Sequence, residues 1–544
     1  MRSSVMSAPP LGPRWAGSII AASDPIGRNA VHGLYDREVT NDVPPQLSDD
    51  QAAHLADTFR ALEYTVDAVL DRLGAVGQDG LQRNSTMPAR DQLGDAEDAQ
   101  ADLIRLFILQ QPVPAARLNA TLPLNELEQA GLLWQDVGRL HAAVDVRPYG
   151  FEIADHPGDS RASEFQGWIV SDHQPDLDFR PRPTRPDYVL GVSPASTTLA
   201  QLTAAQPVER ALDLGTGCGV QTLHLATHVD HIVATDLNPR ALALAKLTMQ
   251  LNDIAVDLRL GDLYEPVAED SFDLIVTNPP FVIAPPSDDA ERLLYREGSL
   301  PGDQLVERVV REGAKLLRPG GVLQVLANWA NDATPWQDRL ACWAERDGFN
   351  LWAIEREQLD PYAYIEMWLA DAGLAGTEQW EPRYQQWLHY FEQLGIRGVS
   401  MGWLTISPNQ DGHPDIAMES WPHQVAQPVG DTLASRARRH QISEIPEQEL
   451  LATSWRLAAD VVQETMGEPG ASDPEYIVLR QHAGLKRAMR VDTAFGAVLG
   501  ACDGDLPLGV ILDAVSQLLP GELDHAGLLT SFRQAILDGY LHPA

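Results

Sequence analysis

Cysteine is almost missing from this chain. Three residues in 544, Cys218, Cys342 and Cys502, lie far apart and are odd in number. That argues against a disulfide framework or a cysteine-rich zinc site and fits a reducing compartment. No apolar run approaches the roughly 20 residues that a membrane-spanning helix needs. The mildly apolar stretch 15–22 is cut by Asp24 and follows no basic cluster, so no secretory signal is expected and the cytoplasm is the default compartment. Basic residues are scarce: 40 Lys and Arg stand against 77 Asp and Glu, a formal charge of −37. Such a charge opposes long-range capture of polyanions, although it leaves a local basic patch open. The histidines are scattered without metal-ligand spacing, so no metal is assigned. No repeat at a solenoid period is apparent.

What is present divides the chain into five stretches. Residues 1–45 mix Pro, Gly, Ser and Asn without a sustained period and read as a loose tail. Residues 46–173 read as a mostly helical domain. Ser48 caps a first helix carrying Leu55, Phe59, Leu62 and Val66, Ala101–Leu109 is another helix, and strands near Leu132–Val137 and Ala142–Val146 close the region. Three helices and a hairpin are the order of a winged helix. Residues 174–186, with Arg180, Arg182 and Arg185 among prolines, read as an extended linker. From 187 to 430 strands and helices alternate, which implies a parallel sheet. Seven strands are expected: Arg210–Leu214, His231–Thr235, Val256–Leu260, Leu274–Thr277, Gly321–Leu326, Leu351–Glu355 and Val399–Ile406. A helical insertion, 360–397, separates the last two. Residues 431–544 form a helical tail domain, in which 506–518 and 528–541 resemble a second helix-turn-helix-like unit.

The strand ends carry the chemistry. Arg210–Leu214 is a buried-strand pattern that runs into Gly215-Thr216-Gly217-Cys218-Gly219 and then a helix. Glycines there allow a tight turn and close approach of a ligand to the backbone. Asp213 closes that strand. Asp236 closes the next, where a carboxylate can accept both hydroxyls of a ribose. Asp262, with Leu263, follows the third, placed to meet an adenine ring and its amine. A dehydrogenase fingerprint would need a glycine where Val220 stands, so the spacing is wrong for one.

The fourth strand, Ser271–Thr277, ends in Asn278-Pro279-Pro280-Phe281. Proline cannot continue a central strand, so the chain leaves the sheet here and Asn278 joins the three aspartates at one edge. Its side-chain oxygen and the Pro279 carbonyl can accept the two N–H groups of a planar amine, with Phe281 stacked on its plane. Taken alone, the motif would serve equally as a strand-ending turn.

Together these residues resemble class I S-adenosylmethionine-dependent methyltransferases, and most nearly their HemK-type branch, which methylates the side-chain amide of glutamine in translation release factors. The resemblance covers about 187–410. It implies a doubly wound, seven-stranded Rossmann-like α/β sheet between helical flanking domains, and S-adenosylmethionine as cofactor. Asp213, Gly215, Thr216, Gly217 and Gly219 match the family's cofactor loop, Asp236 its ribose ligand, and Asp262 with Leu263 its adenine contact. Asn278, Pro279, Pro280 and Phe281 match its amine-binding motif. The family more often has Tyr at the position of Phe281. Phe is common in relatives that methylate adenine N6 or guanine N2, so the acceptor stays open between a protein glutamine and a nucleic-acid base. Val282–Pro286 looks like the HemK-type continuation. With the acidic charge, this favours a protein substrate over nucleic acid and no membrane partner. In such folds Asp187–Pro194 can fold over the methionine end of the cofactor, with Tyr188 and Ser193 as candidates and core packing an equal reading of Tyr188. The basic run Arg436, Arg438, Arg439 and His440 is expected to be a solvated helix face, and the insertion's Trp and Tyr residues to be packing.

Overall fold

The computed structural model describes residues 43–153, 164–175, 177–179, 185–286, 300–409, 412–468, 475–518 and 524–544. Most of the expected tail, and Arg180 and Arg182 of the expected linker, lie outside these. Arg185 pairs with Asp187 at 2.8 Å.

Eight strands form the central sheet: β1 (Val208–Leu214), β2 (Val229–Asp236), β3 (Asp257–Leu260), β4 (Phe272–Thr277), β5 (Leu317–Asn331), β6 (Phe349–Leu359), β7 (Gly398–Pro408) and β8 (Ile416–Ser420). Their order is β3-β2-β1-β4-β5-β7-β6-β8. All seven expected strands are present, and β8 extends the sheet by pairing parallel with β6. Only β7 runs against the rest, antiparallel to both β5 and β6. Strand order reverses between β1 and β4, so the crevice at their carboxyl ends is the position where doubly wound sheets bind ligands.

The sheet is buried on both faces, which explains why its strands read as continuous apolar runs. Successive residues enter opposite layers. Ala211, Leu274 and Val276 face one apolar cluster, while Leu212, Leu214, Ile275 and Leu323 face another with Val309, Val310 and Trp343. The helices of the domain are α1 (Pro194–Leu202), α2 (Val220–Leu225), α3 (Pro239–Leu251), α4 (Gln304–Ala314), α5 (Trp336–Asp347), α6 (Pro361–Asp371) and α7 (Trp380–Leu394). The last two are the expected insertion, and its aromatic residues Tyr364, Trp387 and Phe391 are core packing.

Before the sheet, Ser48 caps the helix Asp49–Ala61 reciprocally with Gln51, as its sequence predicts. Residues 99–142 then show helix, strand, two short helices and two strands, with the three strands in the order first-third-second. That is winged-helix topology. Its last strand is Arg139–Ala142 rather than the expected 142–146, because Asp145–Glu152 opens a separate hairpin with Glu164–Ser171. After the sheet, the expected helices are joined by six short strands in two three-stranded sheets. The basic run is only in part a solvated face: Arg438 is exposed, but Arg436 is buried, pairs with Asp415 at 2.9 Å and lies over the Trp352 ring, and Arg439 donates to the Thr432 carbonyl at 2.9 Å. Among the described residues no helix is long and apolar enough to cross a membrane.

The N-terminal hairpin is fastened to α3 by polar contacts. The Asn252 side chain accepts from the Trp168 N–H at 3.0 Å and donates to the Trp168 carbonyl at 2.7 Å, standing in for a neighbouring strand. Gly167 has no side chain because a Cβ there would come within 1.8 Å of Asn252 Oδ1. Arg240 holds both oxygens of the buried Asp172. Asn252→Ala would leave two backbone groups at a buried seam unpaired, and should lower unfolding free energy by about 1–3 kcal/mol in chemical denaturation. A change under a few tenths would mean that the seam contributes no stability.

Candidate active site

The strand ends meet in one cleft. Asp213, Gly215, Thr216 and Gly217 line its floor, Asp236, Asp262 and Leu263 one wall, and Asn278, Pro279 and Pro280 the other end. Gly215 and Gly217 have φ of +76° and +56°, and a Cβ on either would meet open space. Their requirement is therefore the left-handed backbone, which leaves bare main chain facing the cleft. Gly219 differs. It lies off the cleft, and its Cβ would come 2.9 Å from Met249 Cε, so it is a glycine for packing against α3.

The turn is held by two carboxylates. Asp213 is buried, and its Oδ2 accepts from the hydroxyls of Thr216 and Thr222, each at 2.7 Å. Burial pushes its carboxyl up to about 6 against those hydroxyls, and nearby Asp236 adds in the same direction. Asp236 Oδ2 accepts from the Gly217 N–H at 2.9 Å and Oδ1 from the Asn238 N–H at 2.8 Å. Burial raises its pKa too, opposed by those same N–H groups. Each oxygen keeps a further lone pair for a ligand hydroxyl. Asp262 is shared with Arg308 of α4, 2.8 Å away. Leu263 adopts φ +45°, a left-handed conformation that costs a leucine roughly 1–3 kcal/mol.

At the other end, Asn278 Oδ1 is buried and has no hydrogen-bond partner among the described residues. An orphaned acceptor of this kind costs about 1–3 kcal/mol unless something fills it. Phe281, expected to stack on the ligand, does not line the cleft. It is half-buried between the sheet core and the insertion. Tyr188 is buried and lines the cleft, and so does Ser193, which also caps α1 together with Ser196.

Two cleft residues escaped sequence reading. Leu237 is 51% exposed, an apolar side chain left uncovered inside a cleft. Its signal was its place directly after a strand-ending acid. Gln221 donates through Nε2 to the Ser196 carbonyl at 2.7 Å, and its buried Oε1 has no partner among the described residues. Its only signal was a long polar side chain within the short helix α2.

These donors and acceptors fit S-adenosylmethionine. Leu237 and Leu263 offer apolar surface to an adenine, Asp236 a paired acceptor to a ribose, the Gly215–Gly217 backbone room for the thioether chain, and Gln221 an acceptor for an ammonium. Residues 191–340 match the family described as Methyltransferase small domain.

Residues 191–340 are a methyltransferase domain.

Its cofactor is S-adenosylmethionine. Residues 61–143, which contain the whole of 99–142, match a Domain of unknown function (DUF7059). Among curated proteins, this chain is 36% identical over 126 residues to the ribosomal protein uL3 glutamine methyltransferase of Bradyrhizobium diazoefficiens, covering 21% of this chain and 40% of that protein. It is 33% identical over 120 residues to a putative protein N5-glutamine methyltransferase of Methanocaldococcus jannaschii, covering 21% and 59%. It is 28% identical over 129 residues to the ribosomal RNA small subunit methyltransferase C of Alcanivorax borkumensis, covering 24% and 35%. The chain thus spans from about a third to three fifths of the length of these relatives.

The buried acids give the methyltransferase domain a pH signature. A cation in the cleft favours ionised Asp213, whose carboxyl titrates near 6. Cofactor affinity should therefore rise with pH and level off above 6, and calorimetry should find binding about tenfold weaker at pH 5 than at pH 7. Folding responds with the opposite sign. A raised carboxyl binds its proton more tightly in the folded state, so the free protein loses this contribution as pH climbs from about 4 to 6. A flat affinity profile would show that Asp213 does not sense the ligand. Asp236→Ala should weaken cofactor binding by about 2–4 kcal/mol, because a charge-assisted pair of hydrogen bonds is lost. Unchanged affinity in a folded variant would remove Asp236 from the cofactor site.

Proposed function

We propose that this protein methylates a planar NH₂ nitrogen, that of a glutamine side-chain amide in a protein, with S-adenosylmethionine as donor. The observation that carries the reading is the unpaired, buried Asn278 Oδ1 at the end of the cleft away from Asp236. Asn278 accepts one amine N–H and the Pro279 carbonyl the other. Two acceptors orient the nitrogen and favour the positive charge that builds on it. A nitrogen–carbon bond forms as the carbon–sulfur bond breaks, S-adenosylhomocysteine leaves, and one proton passes to solvent. Because the sulfonium loses its charge as the nitrogen gains it, no strong general base is required.

The glutamine acceptor is supported by the names of the relatives acting on ribosomal protein and protein N5-glutamine, by the Val282–Pro286 continuation, and by the net charge of −37. The same relatives support a protein substrate met in the cytoplasm. Phe281, the winged-helix topology and the relative named for ribosomal RNA favour a second reading, an exocyclic amine of adenine or guanine. A third, an inactive cofactor-binding module, fits poorly with an acceptor left open at Asn278.

Labelled cofactor incubated with cell extract, followed by separate protease and nuclease treatment, distinguishes the first two. Label in protease-sensitive material, with transfer only weakly dependent on salt, is expected. Nuclease-sensitive label with steep salt dependence would promote the nucleic-acid reading. Asn278→Ala should leave cofactor affinity nearly intact and lower turnover by about 10²-fold or more. Wild-type turnover in that variant would reduce the motif to a strand-ending turn.

A further inference from the structure

The amine-binding turn is poorly equipped to hold itself. Pro279 and Pro280 carry no N–H, so two successive residues donate no backbone hydrogen bond. The N–H of Ile283, two residues past Phe281, goes to the insertion instead: the Tyr364 hydroxyl on α6 accepts it at 3.0 Å. The same hydroxyl accepts from Asn328 Nδ2 on β5 at 3.3 Å. On α7, the Tyr390 hydroxyl accepts from the Gly302 N–H at 3.1 Å. Gly302 lies just before α4, whose Leu305 lines the cofactor cleft. Its neighbour Asp303 accepts from the Ala330 N–H at 2.8 Å. One helix of the insertion thus grips the chain leaving Asn278-Pro279-Pro280-Phe281, and the other grips the chain returning to the cleft.

We propose that the insertion between β6 and β7 positions the amine-binding turn, with Tyr364 and Tyr390 as the positioning residues. The hydroxyls are the telling groups. Tyr364 is fully buried and Tyr390 nearly so, among Val282, Ile283, Ile365 and Phe391. Apolar packing alone would be served by phenylalanine, because burying a hydroxyl is costly unless it is paired. Both hydroxyls are paired with main chain flanking the site. Asn278 Oδ1 must reach a planar amine within hydrogen-bonding distance, and a misplacement of about 1 Å is enough to cost on the order of 10²-fold in rate. Neither tyrosine touches the cleft, so their influence on transfer passes through the turn.

The inference rests on methyl transfer at Asn278, and its test has one arm that does not. Tyr364→Phe, Tyr390→Phe and the double variant keep both rings and remove only the hydroxyls. Hydrogen exchange followed by mass spectrometry should show roughly tenfold faster exchange within 281–286 for Tyr364→Phe, with peptides from the rest of the sheet unchanged. S-adenosylmethionine affinity by calorimetry should stay within about twofold of wild type. The rate of label incorporation from extract should fall by about tenfold in Tyr364→Phe and further in the double variant, with the same macromolecule labelled. Wild-type exchange in 281–286, or faster exchange with undiminished transfer by the double variant, would overturn the proposal. A parallel loss of cofactor affinity would also overturn it, as the mark of general loosening. Were the wild-type protein to transfer no label, the proposed function would fall, and the exchange arm alone would decide whether the tyrosines hold the turn.

Discussion

A carboxylate taken out of water organises this cleft. Asp213 sits at the end of an interior strand of a sheet covered on both faces, where leaving a charge is expensive unless it is compensated. The hydroxyls of Thr216 and Thr222 compensate it, and both lie in the segment that must turn there. The turn that satisfies Asp213 presents the Gly217 N–H to Asp236, which fixes the carboxylate of the next strand. Asp236 in turn holds the Asn238 N–H at the start of α3. One buried charge therefore links two strand ends and two helix starts. The same burial leaves negative potential that a cation in the cleft would relieve, and a sulfonium with an ammonium at its far end supplies one.

The far side of the cleft depends on a different chain of contacts. Val189, which lines it, donates to Asp172 at 2.9 Å, and Asp172 is gripped by Arg240 of α3. Asn238 reaches the Asp187 carbonyl at 2.9 Å. The segment across the methionine end is thus tied to α3 and to the N-terminal hairpin at once, and the apolar core on that side runs from Phe59 and Phe107 through Trp168 to Leu244 and Leu247. The N-terminal region thus supports the cleft wall from behind. Its removal would expose a large apolar face and free the segment over the cofactor.

The legible parts of the molecule were those where physics is local. A parallel strand buried on both faces reads as an apolar run, so Phe272–Thr277 and Arg210–Leu214 were visible. The site residues directly follow such runs, so finding the strands located them. The missed elements lacked that property. The strand Asp145–Glu152 contains Pro148 and Gly150, both poor strand residues, and its partner packs through Asn252, some 80 positions away. Strand β8 and the strand Val461–Met466 are mostly half-exposed or exposed and show no buried run. Arg436 and Arg439 looked solvated because charge is ordinarily so; Asp415 and Trp352 are what bury Arg436, and neither is near it in sequence. The role of Phe281 was misjudged for the same reason, since the insertion that claims its ring begins 80 residues later.

Topology and charge pull in opposite directions at the winged helix, and charge is the more informative. The fold there is one that reads nucleic acid elsewhere, with its third helix and wing as the contact surface. In this chain that helix is Leu124–Gln129, which presents Glu126 and Glu128 and no basic residue. The wing strand before the tip ends in Asp136, the tip is Val137, 93% exposed, and Arg139 donates to the Pro112 carbonyl. Each phosphate contact draws its free energy from a cation that displaces counterions, and carboxylates at the same place repel. A shared topology says how the elements are connected; the side chains on its exposed face decide what it can touch. Here the carboxylates oppose phosphate at close range and offset what the topology suggests, so the identity of the acceptor turns on the groups around Asn278.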